Sequence, residues 1–125
     1  MSLVAVHPAE TNAPILDVLA ERWSTRIFDP TTPIDEDALA SALEAARWAP
    51  SASNTQPTRF IVARRGTDAH AAVFGALMGF NQAWAGDASA LVVVLAETET
   101  ADGTAQPWAL YDAGQAAAHF TVQAH

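Results

Sequence analysis

The chain contains no cysteine and no lysine, and its longest uninterrupted apolar run, Ala90 to Ala96, is seven residues. The first absence excludes disulfides and thiolate zinc sites. The third excludes a membrane-spanning helix, which needs roughly 20 apolar residues. Cations are scarce as well: six Arg face fourteen acidic side chains, a formal net charge of −8. That balance argues against a nucleic-acid partner, because phosphate-backbone binders carry a basic face. The four histidines, His7, His70, His119 and His125, show no i, i+4 pairing, so no metal site is expected. Gly-x-Gly-x-x-Gly, Walker and Gly-x-Ser-x-Gly patterns are also missing, which removes the usual handles for dinucleotide binding, phosphoryl transfer and serine hydrolysis.

What is present is one domain's worth of chain, 125 residues of which half are apolar. Alanine fills 29 positions and every cation is Arg, a compositional habit of GC-rich genomes more than a chemical signal. No basic region followed by an apolar core opens the chain, so a cytoplasmic protein is expected. Residues 1–12 lack periodicity and read as a loose arm. Pro14 suits a first helical position, and Ile15, Leu19 and Trp23 make one stripe of a short amphipathic helix. Arg22 to Asp29 reads as extended, followed by a turn through Pro30 and Pro33.

A second helix spans 36–47, with Asp35 as cap, Glu36 and Asp37 in the first turn, Arg47 in the last, and Leu39, Leu43 and Ala46 as its buried stripe. Phe60 to Ala63 predicts a strand closed by a turn at Arg64-Arg65-Gly66, and Asp68 to Met78 a helix. Ala90 to Ala96 predicts a mid-sheet strand covered on both faces, followed by a polar loop over 97–103. From Pro107 the pattern is helical, with Tyr111, Ala118 and Val122 on one face. The chain stops inside that helical pattern, without a Gly cap or a polar tail.

Two clusters carry possible chemistry. In Arg22-Trp23-Ser24-Thr25-Arg26, period two puts two guanidiniums and a hydroxyl on one side of an extended stretch. This would grip a phosphate or other anion, or equally be a solvated edge whose arginines pair with Glu21 and Asp29. The second cluster, Ala49-Pro50-Ser51-Ala52-Ser53-Asn54-Thr55-Gln56-Pro57, is a small-residue, amide-bearing loop between two prolines. It would present donors and acceptors to a heteroaromatic ring, or simply form a turn.

Taken jointly, Arg22-x-Ser24-x-Arg26-x-Phe28, the helix of 36–47, the 47–57 stretch and Arg59-Phe60-Ile61-Val62 resemble the nitroreductase family of FMN-dependent oxidoreductases. Phe80-Asn81, Asp87-Ala88-Ser89 and Val92-Val93-Val94 resemble that family's next segment, and Tyr111 to Gln123 the start of its long dimer helix. The resemblance runs from Ile15 onward. It implies an α+β fold, an α/β/α sandwich with a central, largely antiparallel sheet flanked by helices, here lacking its C-terminal part. It also implies a single, incomplete FMN-binding domain over residues 1–125.

The implied site lies at a homodimer interface. Arg22 and Ser24 would meet the FMN phosphate and ribityl chain, with Trp23 beside them, and Arg26 the N1 and C2 carbonyl side of the ring. Asn81 would meet the pyrimidine edge, while Pro50, Ser51, Ala52 and Asn54 would come from the other subunit. Gln56 is a weaker candidate. Trp84 stands where many members carry a Lys facing the flavin, and Thr58 where an aromatic usually follows Gln-Pro. No side chain is implied as nucleophile or general acid. NADH or NADPH would deliver hydride to flavin N5, and a nitroaromatic, quinone or related acceptor would take it up. The alternative is a truncated, non-catalytic binding or dimerisation module that keeps the first half of the fold.

Overall fold

The computed structural model describes residues 8–125. Its elements in chain order are α1 (Asp17–Glu21), α2 (Glu36–Arg47), a 3-10 turn (Ala52–Asn54), β1 (Thr58–Arg64), α3 (Asp68–Ala76), α4 (Gly79–Ala85), β2 (Ala90–Ala96) and α5 (Ala109–Gln123). The strands pair antiparallel with Ile61 opposite Val93, and Glu97 N–H donates to Pro57 O at 2.8 Å, which carries the pairing one step past β1. Helices lie against the pair in an α/β/α arrangement. α5 packs through Phe120, whose ring stacks on Phe60 at 5.7 Å, and α3 also rests against both strands. Ala63, on the opposite side of β1 from Phe60 by strand parity, is fully buried.

Small residues set the closest packing. α2 and α5 meet through Ala42 and Ala46 on one side and Ala109, Ala113 and Ala116 on the other, all buried. Without side-chain bulk at the contact, two helix backbones approach closely. α2 begins as expected: the Asp35 carboxylate accepts from the amides of Asp37 and Ala38, both at 3.0 Å. Leu39 and Ala46 are buried and Leu43 half-buried, so the predicted stripe stands, with Ala42 added. The turn after β1 uses Gly66 at φ +85°, a left-handed conformation that suits glycine.

Several expectations change. α1 starts at Asp17, leaving Pro14 outside it, and Ile15, Leu19 and Trp23 remain substantially exposed because no described element packs on that stripe. Residues 1–7 of the expected arm lie outside the described residues. Ala9 is not loose, since its N–H donates to Ala20 O at 2.8 Å. The helix expected over 68–78 stops at Ala76, and Leu77-Met78, both with extended ψ, lead into a separate α4. β2 pairs only with β1 among the described residues, and Val94 and Leu95 are about 40% exposed. Its apolar run reports what the strand is suited to bury, not how many neighbours it has.

α5 starts at Ala109, since Pro107 and Trp108 form a turn. Its buried face is Ala109, Asp112, Ala113 and Ala116, while Tyr111 and Ala118 point outward. The alanines, not the aromatic, set the phase, because only small side chains fit against α2. The polar loop is a compact hairpin closed by the Glu99–Ala105 bridge, with Thr100 bonded to both Asp102 and Thr104.

Candidate functional site

The six arginines sort by partner. Arg47 is gripped bidentately by Glu44 at 2.8 and 2.6 Å, and Arg64 by Glu36 at 2.6 and 2.7 Å. Arg59 pairs with Glu97 at 2.8 Å and donates to Gln56 O. Arg65 donates to three backbone carbonyls, Asp29 at 3.2 Å, Asp87 at 2.5 Å and Thr32 at 2.5 Å, and so ties the 29–32 turn to the segment after α4. Arg22 and Arg26 are left without a carboxylate among the described residues. In a chain of net charge −8, two exposed guanidiniums within five residues and, among the described residues, free of acid are an unusual surface.

The ion pairs with Glu21 and Asp29 that would have neutralised them do not form. Asp29 instead accepts from Thr31 N–H at 2.8 Å, Thr31 Oγ1 at 2.6 Å and Thr32 Oγ1 at 2.7 Å. These donors, the Thr31 hydroxyl foremost, hold its carboxyl well below the usual carboxylate range. Glu36 is lowered by the Arg64 hydrogen bonds. Glu44 is lowered to about 2 by Arg47 and then by the Trp48 N–H. Asp29, Glu36 and Glu44 are thus committed to other partners.

Arg26 lies with its guanidinium carbon 4.5 Å from the centre of the Trp84 ring, and Phe28 stacks on the same indole at 6.1 Å. Among the described residues, Arg26 otherwise donates only to its neighbour Thr25 O, at 3.3 Å. Trp84 belongs to α4, and Asn81 sits one turn earlier on the same helix, half-buried and with no side-chain hydrogen bond to a described residue. The Trp84 ring N–H is buried and has no acceptor among the described residues. Of the first group of expected residues, Arg22, Trp23, Ser24, Arg26, Asn81 and Trp84, the structure brings Arg26 and Trp84 into contact, and Arg65 ties the turn that follows the first segment to Asp87, after α4.

The second group is the loop between α2 and β1. Ser53, Asn54 and Gln56 have φ of 51°, 54° and 49°. Three left-handed non-glycine residues in four positions cost roughly 1–3 kcal/mol each, Asn least, and persist only where neighbours over-determine them. Here Gln56 N–H donates to Ser51 Oγ and Gln56 Nε2 to Asn54 Oδ1, both at 3.0 Å. Arg59 Nη1 holds Gln56 O at 2.8 Å, and Ala52 N–H donates to Asp112 Oδ2 at 3.0 Å. A cleft of about 250 Å³ opens beside the loop, lined by Arg47, Pro50, Ser51, Gln56, Arg59 and Asp112 among others.

Within one chain the two groups stay apart: among the described residues no hydrogen bond, ion pair or cleft joins residues 22–26, 81 or 84 to residues 50–54. Sequence reasoning missed Asp112 and Arg65. Asp112 could have been found by phasing α5 on its alanines, which puts the acid on the buried face beside Ala109, Ala113 and Ala116. Nothing in the spacing of Arg64-Arg65 reveals that one takes a carboxylate and the other carbonyls. No group of three or more His, Cys, Asp or Glu is placed to hold a metal among the described residues.

Compared with solved structures, this architecture is the fold of a class of flavin oxidoreductases. It superimposes on an oxidoreductase containing FMN with a TM-score of 0.84, at 34% identity, over 92% of this chain and 60% of that one. The sequence profile of the nitroreductase family matches residues 19–80. The chain belongs to the nitroreductase family. It is 36% identical over 89 residues to the CLA biosynthesis enone reductase of Lactiplantibacillus plantarum, covering 71% of this chain and 41% of that protein. It is 34% identical over 89 residues to a Bacillus subtilis protein named for NAD(P)H nitroreductase activity, covering 70% and 41%. The chain thus spans about two fifths of the length of the curated relatives it matches.

Proposed function

We propose that this chain binds FMN and serves as an NAD(P)H-dependent flavin oxidoreductase, in the cytoplasm where reduced nicotinamide is available. The observation that carries this reading is the pair Arg22 and Arg26, acid-free guanidiniums flanking Ser24 in a strongly acidic chain. The Arg22 guanidinium and the Ser24 hydroxyl suit the FMN phosphate as donors, and Arg26 adds a second cation for the ring. The residues fit the ring as well. The orphaned Trp84 N–H and the unbonded Asn81 amide offer hydrogen-bonding groups on one helix face, next to the Arg26 cation.

FMN held there would supply two-electron chemistry between NADH or NADPH and a nitroaromatic, quinone or related acceptor. The chain's own part is to bind and orient. Arg22 and Ser24 neutralise and bond the phosphate and ribityl end, with Trp23 beside them. Arg26, held against Trp84, puts positive charge where negative charge accumulates on a reduced ring. Pro50, Ser51, Ala52 and Asn54 close the site from a second copy. The separation of the two groups within one chain supports that homodimer, as does the aromatic and aliphatic surface of α5, where Leu110 and Tyr111 are 74% and 70% exposed. No side chain is needed as nucleophile or general acid.

The test is titration calorimetry of the purified chain with FMN, followed by the visible spectrum under anaerobic NADPH. Saturable binding and bleaching of the flavin bands are expected. Absence of any FMN binding would leave the other reading, a non-catalytic binding or dimerisation module, in its place.

A further inference from the structure

Asp112 is the buried carboxylate of this fold, 4% exposed on the face of α5 that packs against α2. Its neighbours on that face, Ala109, Ala113 and Ala116, are all alanine, so packing alone would be served by a fourth. A carboxylate there carries a desolvation penalty unless it is bonded. Its one hydrogen bond among the described residues is to a main-chain donor sixty positions earlier, Ala52 N–H at 3.0 Å. Ala52 opens the 3-10 turn that leads into the left-handed residues Ser53, Asn54 and Gln56. Two clefts flank this contact, and Asp112 and Ser51 line both.

The other restraints on the loop are its own main-chain bonds, Asn54 N–H to Ser51 O and Thr55 N–H to Ala52 O, and those from Ser51, Asn54 and Arg59 to Gln56 at its far end. At its near end, the side chain that reaches in from another element, among the described residues, is Asp112. We propose that Asp112 is a positioning residue, whose carboxylate holds the 51–54 loop in the strained path from which it contributes to a flavin site. This rests on the FMN reading given above. The carboxylate acts on the loop and not on the ligand.

The test compares Asp112→Ala, which removes the acceptor, with Asp112→Asn, which keeps a side-chain oxygen at the same reach. A third variant, Ala52→Pro, removes the donor without touching the core. Proline suits the first position of a helical turn, and Ser51 before it is already extended at φ −141°, ψ 152°. Amide hydrogen exchange at position 52 is read without FMN, and FMN affinity by calorimetry. Asp112→Ala should speed exchange at Ala52 and weaken FMN binding, each about tenfold, while Asp112→Asn restores both to within about threefold. Ala52→Pro should weaken FMN binding as Asp112→Ala does, and if Asp112→Ala does not fold, unchanged FMN affinity in Ala52→Pro, or exchange at Ala52 that is the same in Asp112→Asn as in Asp112→Ser, overturns the clamp.

Unchanged exchange at Ala52 in Asp112→Ala overturns the clamp. Faster exchange with unchanged FMN affinity overturns its bearing on the site. A wild-type chain that takes up no FMN sinks the flavin reading instead, and the exchange data still decide whether Asp112 holds the loop.

Discussion

Among the described residues, Arg22 and Arg26 differ from the other four arginines in having neither a carboxylate, as Arg47, Arg59 and Arg64 have, nor carbonyls of distant segments, as Arg65 has, and spacing does not reveal the difference. Alternation placed the guanidiniums on one side of an extended segment, but Glu21 and Asp29 were equally plausible counter-ions. The structure decides because the Asp29 oxygens are taken up by Thr31 and Thr32. Replacing Arg26 by Ala should weaken FMN binding about tenfold or more, the scale of one charge-assisted hydrogen bond. Calorimetry reads this, and unchanged affinity together with an unchanged flavin reduction potential would remove the assignment. A second residue-scale expectation concerns Glu44, whose carboxyl the Arg47 guanidinium and Trp48 N–H lower to about 2 from an ordinary 4.5. A carboxyl depressed on folding stabilises the fold above its unfolded value, and that contribution is lost as pH falls from about 4.5 toward 2. Arg47→Ala should move the Glu44 titration back up toward the ordinary range, read by carbon-detected NMR of the side-chain carboxyl.

Among the elements, α2 and both strands were legible because their signals are local. The Asp35 cap, the acidic first turn and the closing Ala49-Pro50 bracket α2, and a β-rich run followed by Arg-Arg-Gly brackets the end of β1. The cap predicts its own test: Asp35→Ala should cost about 1 kcal/mol in denaturant unfolding, and Asp35→Asn far less. What was not legible depended on distant partners. The spacing puts Tyr111, Ala118 and Val122 on one face of α5, yet α2 presents Ala42 and Ala46 and so admits only the small residues of another face opposite. That geometry makes Ala116→Leu an overpacking substitution, expected to destabilise by about 1–3 kcal/mol in the same unfolding assay. A mild effect would mean that the α2–α5 contact is looser than its alanines indicate. The left-handed loop at 53–56 was likewise hidden, since Ser and Gln carry no signature for positive φ.

For the molecule as a whole, apolar surface is the distinguishing feature. Trp108, Leu110 and Tyr111, at and just before the start of α5, each expose most of their area. Large apolar side chains exposed this close in sequence suit a contact surface. Sedimentation velocity should find a concentration-dependent dimer that Leu110→Arg shifts to monomer. If the site is shared between copies, the same variant should lose FMN binding although Leu110 belongs to neither group of site residues. Dimer loss with full FMN affinity would show instead that one chain suffices. The fold is recognisable from joint motifs over most of the chain, and the same resemblance already assigns Pro50, Ser51, Ala52 and Asn54 to a second copy, whereas the contact of Arg26 with Trp84 emerges only from three-dimensional placement.

The stacking of Arg26 and Phe28 on Trp84 also has an optical consequence. The other three indoles, Trp23, Trp48 and Trp108, are 38%, 71% and 62% exposed and should emit at the long wavelengths of wet tryptophan. Trp84, half-buried with its ring N–H sealed from water, should supply the blue edge of the emission band. That edge is a built-in reporter of the Arg26 environment, readable in the unlabelled protein as anions or flavins are added.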